Sequence, residues 1–338
     1  MPTGSEGGAP ASETESWTRA RLEWVDRWQQ RRRAISFVVA VFLRYWEDRG
    51  RQYGALLSYY GFVSLFPLLL VLVTVLGIVL KDDPTRREQI LDTVYDRIPV
   101  VGEQLRQDPA SLNASGLMLV FGLLVSIWSG LAVIRVAQDA LNLQWGVPRY
   151  RWPSFIARLI RAVAALVVVG VGILVATAVT NAAAFLPDLP LAGRWLGAAV
   201  AIVLNIAVLT ASFRILTQSQ VSWRALLPGG ITGGAALWAL QLIGGTYVTQ
   251  VIAGASDVYG VFASMFGLLV WIALLARVTL LANEINVVRS KRLWPRTLIP
   301  GRPTEADLRA YDESVRRAAP FSGTDAPQAI VTPLKTTE

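Results

Sequence analysis

The sequence contains no cysteine and no histidine. Without Cys there is no disulfide and no thiolate nucleophile. Without His there is no Ser-His-Asp catalysis, and the common zinc sites lose their usual ligands. An all-carboxylate metal site would need clustered Asp or Glu, and no cluster stands at suitable spacing. Charge is scarce as well, at 17% of residues, against ~25% in a soluble domain. The charge that exists collects at both ends and in short stretches between long apolar runs. No Gly-rich loop ending in Lys-Ser/Thr occurs, so direct ATP use is not expected. No cofactor, no metal and no enzymatic activity are expected. Residues 1–30 are polar, and the first apolar run lies too far in for a cleavable leader.

What is abundant is apolar: 53% of residues are hydrophobic, with a net charge of +8. A basic chain can bind nucleic acid, but apolar runs of this length assign the basic residues to orientation and anionic lipid headgroups. The expectation is an all-α membrane protein, a bundle of about six transmembrane helices with an N-terminal interfacial amphipathic helix. Residues 1–30 read as a disordered cytoplasmic N-terminus. Residues 31–53 carry a short apolar stretch flanked by Arg, which suits a helix lying on the inner leaflet. The six-span domain covers 54–290, with spans near 55–80, 115–141, 155–184, 195–216, 226–252 and 258–288. An extracytoplasmic segment, 81–114, follows the first span, and 291–338 form a cytoplasmic tail with a short helix at Glu305–Arg317.

Lys and Arg set the orientation. Arg44, Arg49 and Arg51, then Arg149 to Arg161, Arg214 and Arg224, and Arg289 to Arg296 fall on one side. The opposite short loops hold only Arg194. The positive-inside rule therefore places both termini in the cytoplasm of a multi-pass cell-membrane protein. Trp145, Trp152, Trp195, Trp223 and Trp294 stand at span ends as interfacial anchors.

Polar residues inside spans need partners or a water-lined cavity. Arg135 and Arg277 each lie about 20 residues into a span that enters from outside, hence in the inner part of the membrane. Asp139 shares a helix face with Arg135, four residues on, and Glu284 shares one with Arg277, seven on. Ser58, Tyr59 and Tyr60 open the first span at similar depth, with Asn142 and Asn286 at the ends of the second and sixth. These nine residues form a candidate substrate site, a cytosol-facing cavity in which Arg receives an anionic headgroup. The competing reading has both Arg snorkelling to lipid phosphates while the carboxylates serve structural networks. Asn205 and Asn181 read as interhelical hydrogen-bonding residues, and Gly229-Gly230 with Gly233-Gly234 as a close-packing face. Pro67 predicts a kink in the first span.

Ala55-Leu56-Leu57-Ser58-Tyr59-Tyr60-Gly61-Phe62-Val63-Ser64-Leu65-Phe66-Pro67 resembles the first-span signature of the YihY/BrkB family. Asp139-Ala140-Leu141-Asn142, Leu226-Leu227-Pro228-Gly229-Gly230, and the closing run from Tyr259-Gly260-Val261-Phe262-Ala263-Ser264 to Leu281-Ala282-Asn283-Glu284-Ile285-Asn286 resemble that family too. The resemblance covers about residues 35–290, with its four signatures in order. Asn283 departs from the small residue expected before Glu-Ile-Asn. The resemblance implies a six-span inner-membrane protein, from a family linked to virulence and serum resistance, with some members suggested to move lipids or other amphiphiles. Its old label, ribonuclease BN, fits poorly, because a zinc phosphodiesterase needs His ligands.

Two functions follow. One is a transporter or flippase-like protein for an anionic amphiphile or lipid, with membrane lipids as partners and no nucleic acid. The other is an envelope assembly or scaffold protein that transports nothing.

Overall fold

The computed structural model describes residues 13–79, 116–184, 191–218, 221–246, 261–299 and 301–318. The expected segment 81–114 and the tail beyond 318 lie outside them. Among the described residues all regular structure is helical. In chain order the helices are α1 (Glu13–Arg31), α2 (Arg33–Glu47), α3 (Gly50–Val79), α4 (Gly116–Gln144), α5 (Phe155–Ala184), α6 (Leu191–Leu216), α7 (Trp223–Thr246), α8 (Val261–Lys291) and α9 (Glu305–Ala318).

The six long helices close a ring. Each of α3 to α8 packs on the next in sequence, and α8 returns to α3. Inside the ring α4 also touches α8 and α6. The start of α3, the end of α4, the start of α5, the end of α6, the start of α7 and the end of α8 lie together, and α1, α2 and α9 cover that end. This is the terminal end of the ring.

The ring is apolar on its outside. Leu124, Trp128, Ile156, Ile160, Val203, Leu242 and Phe262 are exposed. Only 11% of Phe155–Gly172 is buried. Water would not tolerate such a surface, and lipid does. Four helices are long and apolar enough to cross a membrane among the described residues, with stretches at Phe155–Gly172, Gly197–Leu216, Trp223–Gly244 and Met265–Lys291. The tightly buried apolar core lies toward the terminal end instead, around Val41, Leu141, Trp145, Phe213, Leu226 and Val287.

Paired glycines join three of the helices. A side chain on Gly229 or Gly233 would strike Ala282 of α8, and one on Gly230 or Gly234 would strike Thr210 or the Ile206 backbone of α6. The i, i+4 spacing gives α7 one bare stripe for each neighbour. This matches the packing role read from the sequence. Asn205 donates to Ala201 O at 2.9 Å and also meets Gln241 of α7. The side chain of Asn181 lies outside the described set.

The chain is already helical from Glu13, inside the stretch expected to be disordered. Residues 31–53 do not form one helix: Arg32, in extended conformation, separates α1 from α2, and Asp48-Arg49 turn the chain into α3. On α2 the buried face is Ser36, Ala40, Val41, Arg44 and Tyr45. Val38, Phe42 and Trp46, one turn apart, stay exposed on another face. Pro67 lies within α3.

Candidate functional site

The terminal end holds a buried ionic cluster built by four segments. The i, i+4 spacing puts Arg44 and the α2 C-cap Asp48 on one face, with Arg44 Nε 2.8 Å from Asp48 Oδ2. From α8 come Glu284 and Lys291, seven residues apart and so on one side of the helix. The inner face of α9 presents buried Ala306 and Ala310, then Glu313 and Arg317. The end of α4 contributes Gln144, Trp145 and Gly146.

Arg44 is 1% exposed and Asp48 likewise. Arg44 Nη2 lies 3.3 Å from Glu313 Oε2, and Lys291 is ion-paired to the same carboxylate. Lys291 Nζ also donates to Trp145 O at 2.6 Å. Arg317 donates from Nη1 to Asp48 Oδ1 at 2.6 Å and to Leu143 O at 2.9 Å. Gly146, at φ 66°, leaves open the space that Glu313 fills. Burial pushes the Asp48 carboxyl up, and Arg44 and Arg317 only partly oppose it. Burial pulls Arg44 down, but Asp48, Glu313 and Glu284 more than offset it, so Arg44 stays firmly charged.

Glu284 is 0% exposed, and neither carboxylate oxygen has a hydrogen-bond partner. Asp48, Arg44 and Glu313 are the charged groups nearest in effect. Gln144 lies beside it, but its amide donates to Leu280 O at 3.1 Å and its carbonyl accepts from Asn283 at 2.7 Å. Asn283 accepts in turn from Trp145 Nε1 at 3.1 Å. Asn283 thus ties α8 to α4 next to Glu284.

Of the nine residues singled out in the sequence, Glu284 alone enters this cluster. Arg135 lays its guanidinium over the Phe155 ring, 5.0 Å from the centroid. Asp139 is ion-paired to Arg158 of α5. Arg277 is exposed, its stem next to Gly54 of α3. Arg135 and Arg277 therefore sit level with the first turns of α5 and α3, on different sides of the ring. Ser58 donates to Ala55 O at 2.8 Å. Tyr59 is exposed and meets Tyr60 edge-on at 5.3 Å. Asn142 accepts from Gln218 N at 2.8 Å, and Asn286 from Gly229 N at 2.6 Å. The spans carrying these residues do meet, since α3, α4 and α8 are mutual neighbours. Arg44, Asp48, Lys291, Glu313 and Arg317 went unrecognised in the sequence. The available signal was the i, i+4 pairing of Arg44 with Asp48 and of Glu313 with Arg317.

A ring of helices with a lipid-compatible exterior and, among the described residues, charge drawn to one end defines an α-helical membrane protein. The family model described as Virulence factor BrkB matches residues 41–305. The chain belongs to that family. Among relatives, a UPF0761 membrane protein of Stenotrophomonas maltophilia is 27% identical over 276 residues, 78% of this chain and 63% of that protein. The inner membrane protein YhjD of Escherichia coli is 22% identical over 297 residues, 82% of this chain and 86% of its own length. YfkH of Bacillus subtilis, named as ribonuclease-like, is 23% identical over 275 residues, 76% of this chain and 96% of YfkH. The chain thus spans less than two thirds of the first of these relatives. No solved structure matches it. The family match includes Arg44, Asp48, Gly146, Glu284 and Lys291, and ends where α9 begins.

Proposed function

We propose that this chain is a six-span protein of the cytoplasmic membrane, with both termini cytoplasmic, that moves an amphiphile with an anionic headgroup. In this reading the ionic cluster closes the cytoplasmic end of the path. The supporting observation is Glu284, a fully buried carboxylate on a membrane helix with no hydrogen-bond partner. Such a group is costly, and in membrane helices it marks functional positions. Arg135 and Arg277, at the level where α5 and α3 begin, suit the capture of an anionic headgroup at the membrane boundary. The orientation is supported by the basic residues at the terminal end, and six crossings by the closed ring of long helices. In this reading α2 lies on the inner leaflet, which the exposed Val38, Phe42 and Trp46 support. The reading needs no cofactor, no metal and no nucleic-acid partner, and the chain is not an enzyme in it.

The test is lipid exchange in reconstituted vesicles with a fluorescent anionic lipid, for wild type, Glu284→Gln and Arg135→Ala/Arg277→Ala. Wild type should exceed protein-free vesicles, and both variants should fall at least ~tenfold at unchanged melting temperature. Wild type no faster than empty vesicles overturns the reading. A second reading, an envelope scaffold without transport, is favoured by one specific observation: Asp139, Asn142 and Asn286 are all engaged in contacts between ring segments. That reading expects no exchange at all, and loss of an envelope phenotype on trimming 81–114 or the tail.

A further inference from the structure

The stretch that matches the family, 41–305, gathers two cations, Arg44 and Lys291, beside two carboxylates, Asp48 and Glu284. Arg44 is 1% exposed, and Lys291 approaches it from α8 through their shared partner, Glu313. Next to Arg44, 2.8 Å away, Asp48, its side chain 0% exposed, and the Leu143 carbonyl form an adjoining negative pole. The Leu143 carbonyl belongs to the last turn of α4, where it accepts from Gly146 N at 3.0 Å and the helix dipole favours a cation on its remaining lone pair. Buried charges of this kind are strongly destabilising unless partners meet them. Arg44 and Asp48 pair with each other at 2.8 Å, and α9, beyond the matched stretch, adds a further partner to each side: Glu313 to Arg44 and Lys291, and Arg317 to Asp48 and Leu143 O. Glu313 and Arg317 are one helical turn apart, so α9 delivers an anion and a cation as a single unit. Gly146 adds a fitted space, because any side chain there would collide with the Glu313 carboxylate.

We infer that Arg44, Lys291, Asp48 and the Leu143 carbonyl form a binding site for a zwitterionic headgroup, a phosphate joined by a short linker to an ammonium, and that α9 occupies it as an internal mimic. The phosphate takes the place of the Glu313 carboxylate between Arg44 and Lys291. The ammonium takes the place of the Arg317 guanidinium, donating to Asp48 and to the α4 terminus. This narrows the anionic amphiphile proposed above to one that also carries a cation. It rests on that reading for its purpose, though its binding is measured without transport.

The full-length Glu313→Gln/Arg317→Gln variant displaces the mimic while leaving the receiving residues intact. Calorimetry in detergent with glycerophosphoethanolamine should show binding at least ~tenfold tighter than wild type, since the variant no longer competes with itself for the site. Glycerophosphoglycerol, which lacks the ammonium, should gain far less. Adding Lys291→Met should abolish the gain. If the double variant unfolds, the single Glu313→Gln variant is measured in its place. No gain in a variant with a normal melting curve overturns the assignment, and so does an equal gain for the amine-free probe. Mass spectrometry of lipids retained in mixed phosphatidylethanolamine and phosphatidylglycerol nanodiscs separates sources. Enrichment of the ethanolamine lipid in the variant identifies a lipid headgroup, whereas calorimetric binding without enrichment identifies a soluble zwitterion. Binding gain with no lipid exchange by wild type removes the transport reading and keeps the site. Exchange without binding gain does the reverse.

Discussion

Arg296 holds both carboxylate oxygens of Glu47, at 2.8 and 2.7 Å, across 249 positions of sequence. The same guanidinium donates from Nε to Asp307 at 2.8 Å. One side chain therefore fastens the end of α2 to the segment that carries α9. Around it Asp26 of α1 accepts from Leu298 N at 2.8 Å, and Gln29 donates to Arg296 O at 2.7 Å.

Replacing Arg296 by Gln should loosen this clasp. Losing this guanidinium, 9% exposed, strips the half-exposed Glu47 of its donor and Asp307 of its charged partner. The cost should reach about 2–4 kcal/mol. Hydrogen exchange should rise across 294–318 and stay unchanged in the middle of α6 and α7. Unchanged exchange at α9 would contradict the clasp.

Acid should act on the same region through Asp307. Burial alone would raise its carboxyl, but bonds from Arg296, Thr304 and Thr297 outweigh it and hold it below the usual 3.8. A depressed carboxylate stabilises the fold above its unfolded value, and that contribution disappears as pH falls through the folded value. Asp48 has the opposite sign: its raised carboxyl stabilises at low pH, and the effect is lost as pH climbs through the folded value. Asp307→Asn isolates the first effect. Its melting temperature should lie below wild type at pH 6, and the gap should close as pH drops beneath about 3.8. A gap that does not narrow at all between pH 6 and pH 3 would show that Asp307 acts through shape and not charge.

Glycine positions should divide sharply. A side chain on Gly234 would stand 2.8 Å from the Ile206 backbone, which cannot yield as a flexible side chain can. Gly234→Val should cost about 3 kcal/mol or prevent folding. Gly130 of α4 has nothing within 4 Å of an added Cβ. Gly130→Ala should be neutral or stabilise by roughly 0.5–1 kcal/mol. Thermal shift in detergent reads both.

Asn286→Ala removes the acceptor of the Gly229 N–H, held at 2.6 Å within a buried contact. The expected loss is about 1–3 kcal/mol of stability. Lipid exchange measured below the melting temperature should be unaffected, which distinguishes this residue from Glu284.

Helices were the most legible level of the sequence. Expected spans at 155–184 and 195–216 correspond to Phe155–Ala184 and Leu191–Leu216, because long apolar runs bounded by Pro and Arg leave little choice. The short C-terminal helix expected at Glu305–Arg317 corresponds to Glu305–Ala318, and Thr304 pairs with Asp307 as a reciprocal cap. The N-terminal region was less legible. Hydropathy merges α1 and α2 with their surroundings, and the turn at Asp48-Arg49 depends on tertiary contacts with α9 and α8. The candidate site was legible only at Glu284. Counting residues along a helix gives depth but not azimuth, so Arg135 could not be assigned to Phe155 nor Asp139 to Arg158. Arg44 reads as an orientation signal because Glu313 and Glu284, which it faces together with the nearby Asp48, are distant in sequence.

The double glycine stripe of α7 has a mechanical meaning. Where side chains interdigitate, helices can slide by exchanging rotamers. Where backbone rests on backbone, as at Gly234 and Ile206, no rotamer is available to exchange. Helices α6, α7 and α8 are therefore mortised into one block, and a rocking motion of the ring has to find its seam elsewhere. The joint between α3 and α8, where Gly61 meets the Ile272 side chain, has the freedom the mortised block lacks.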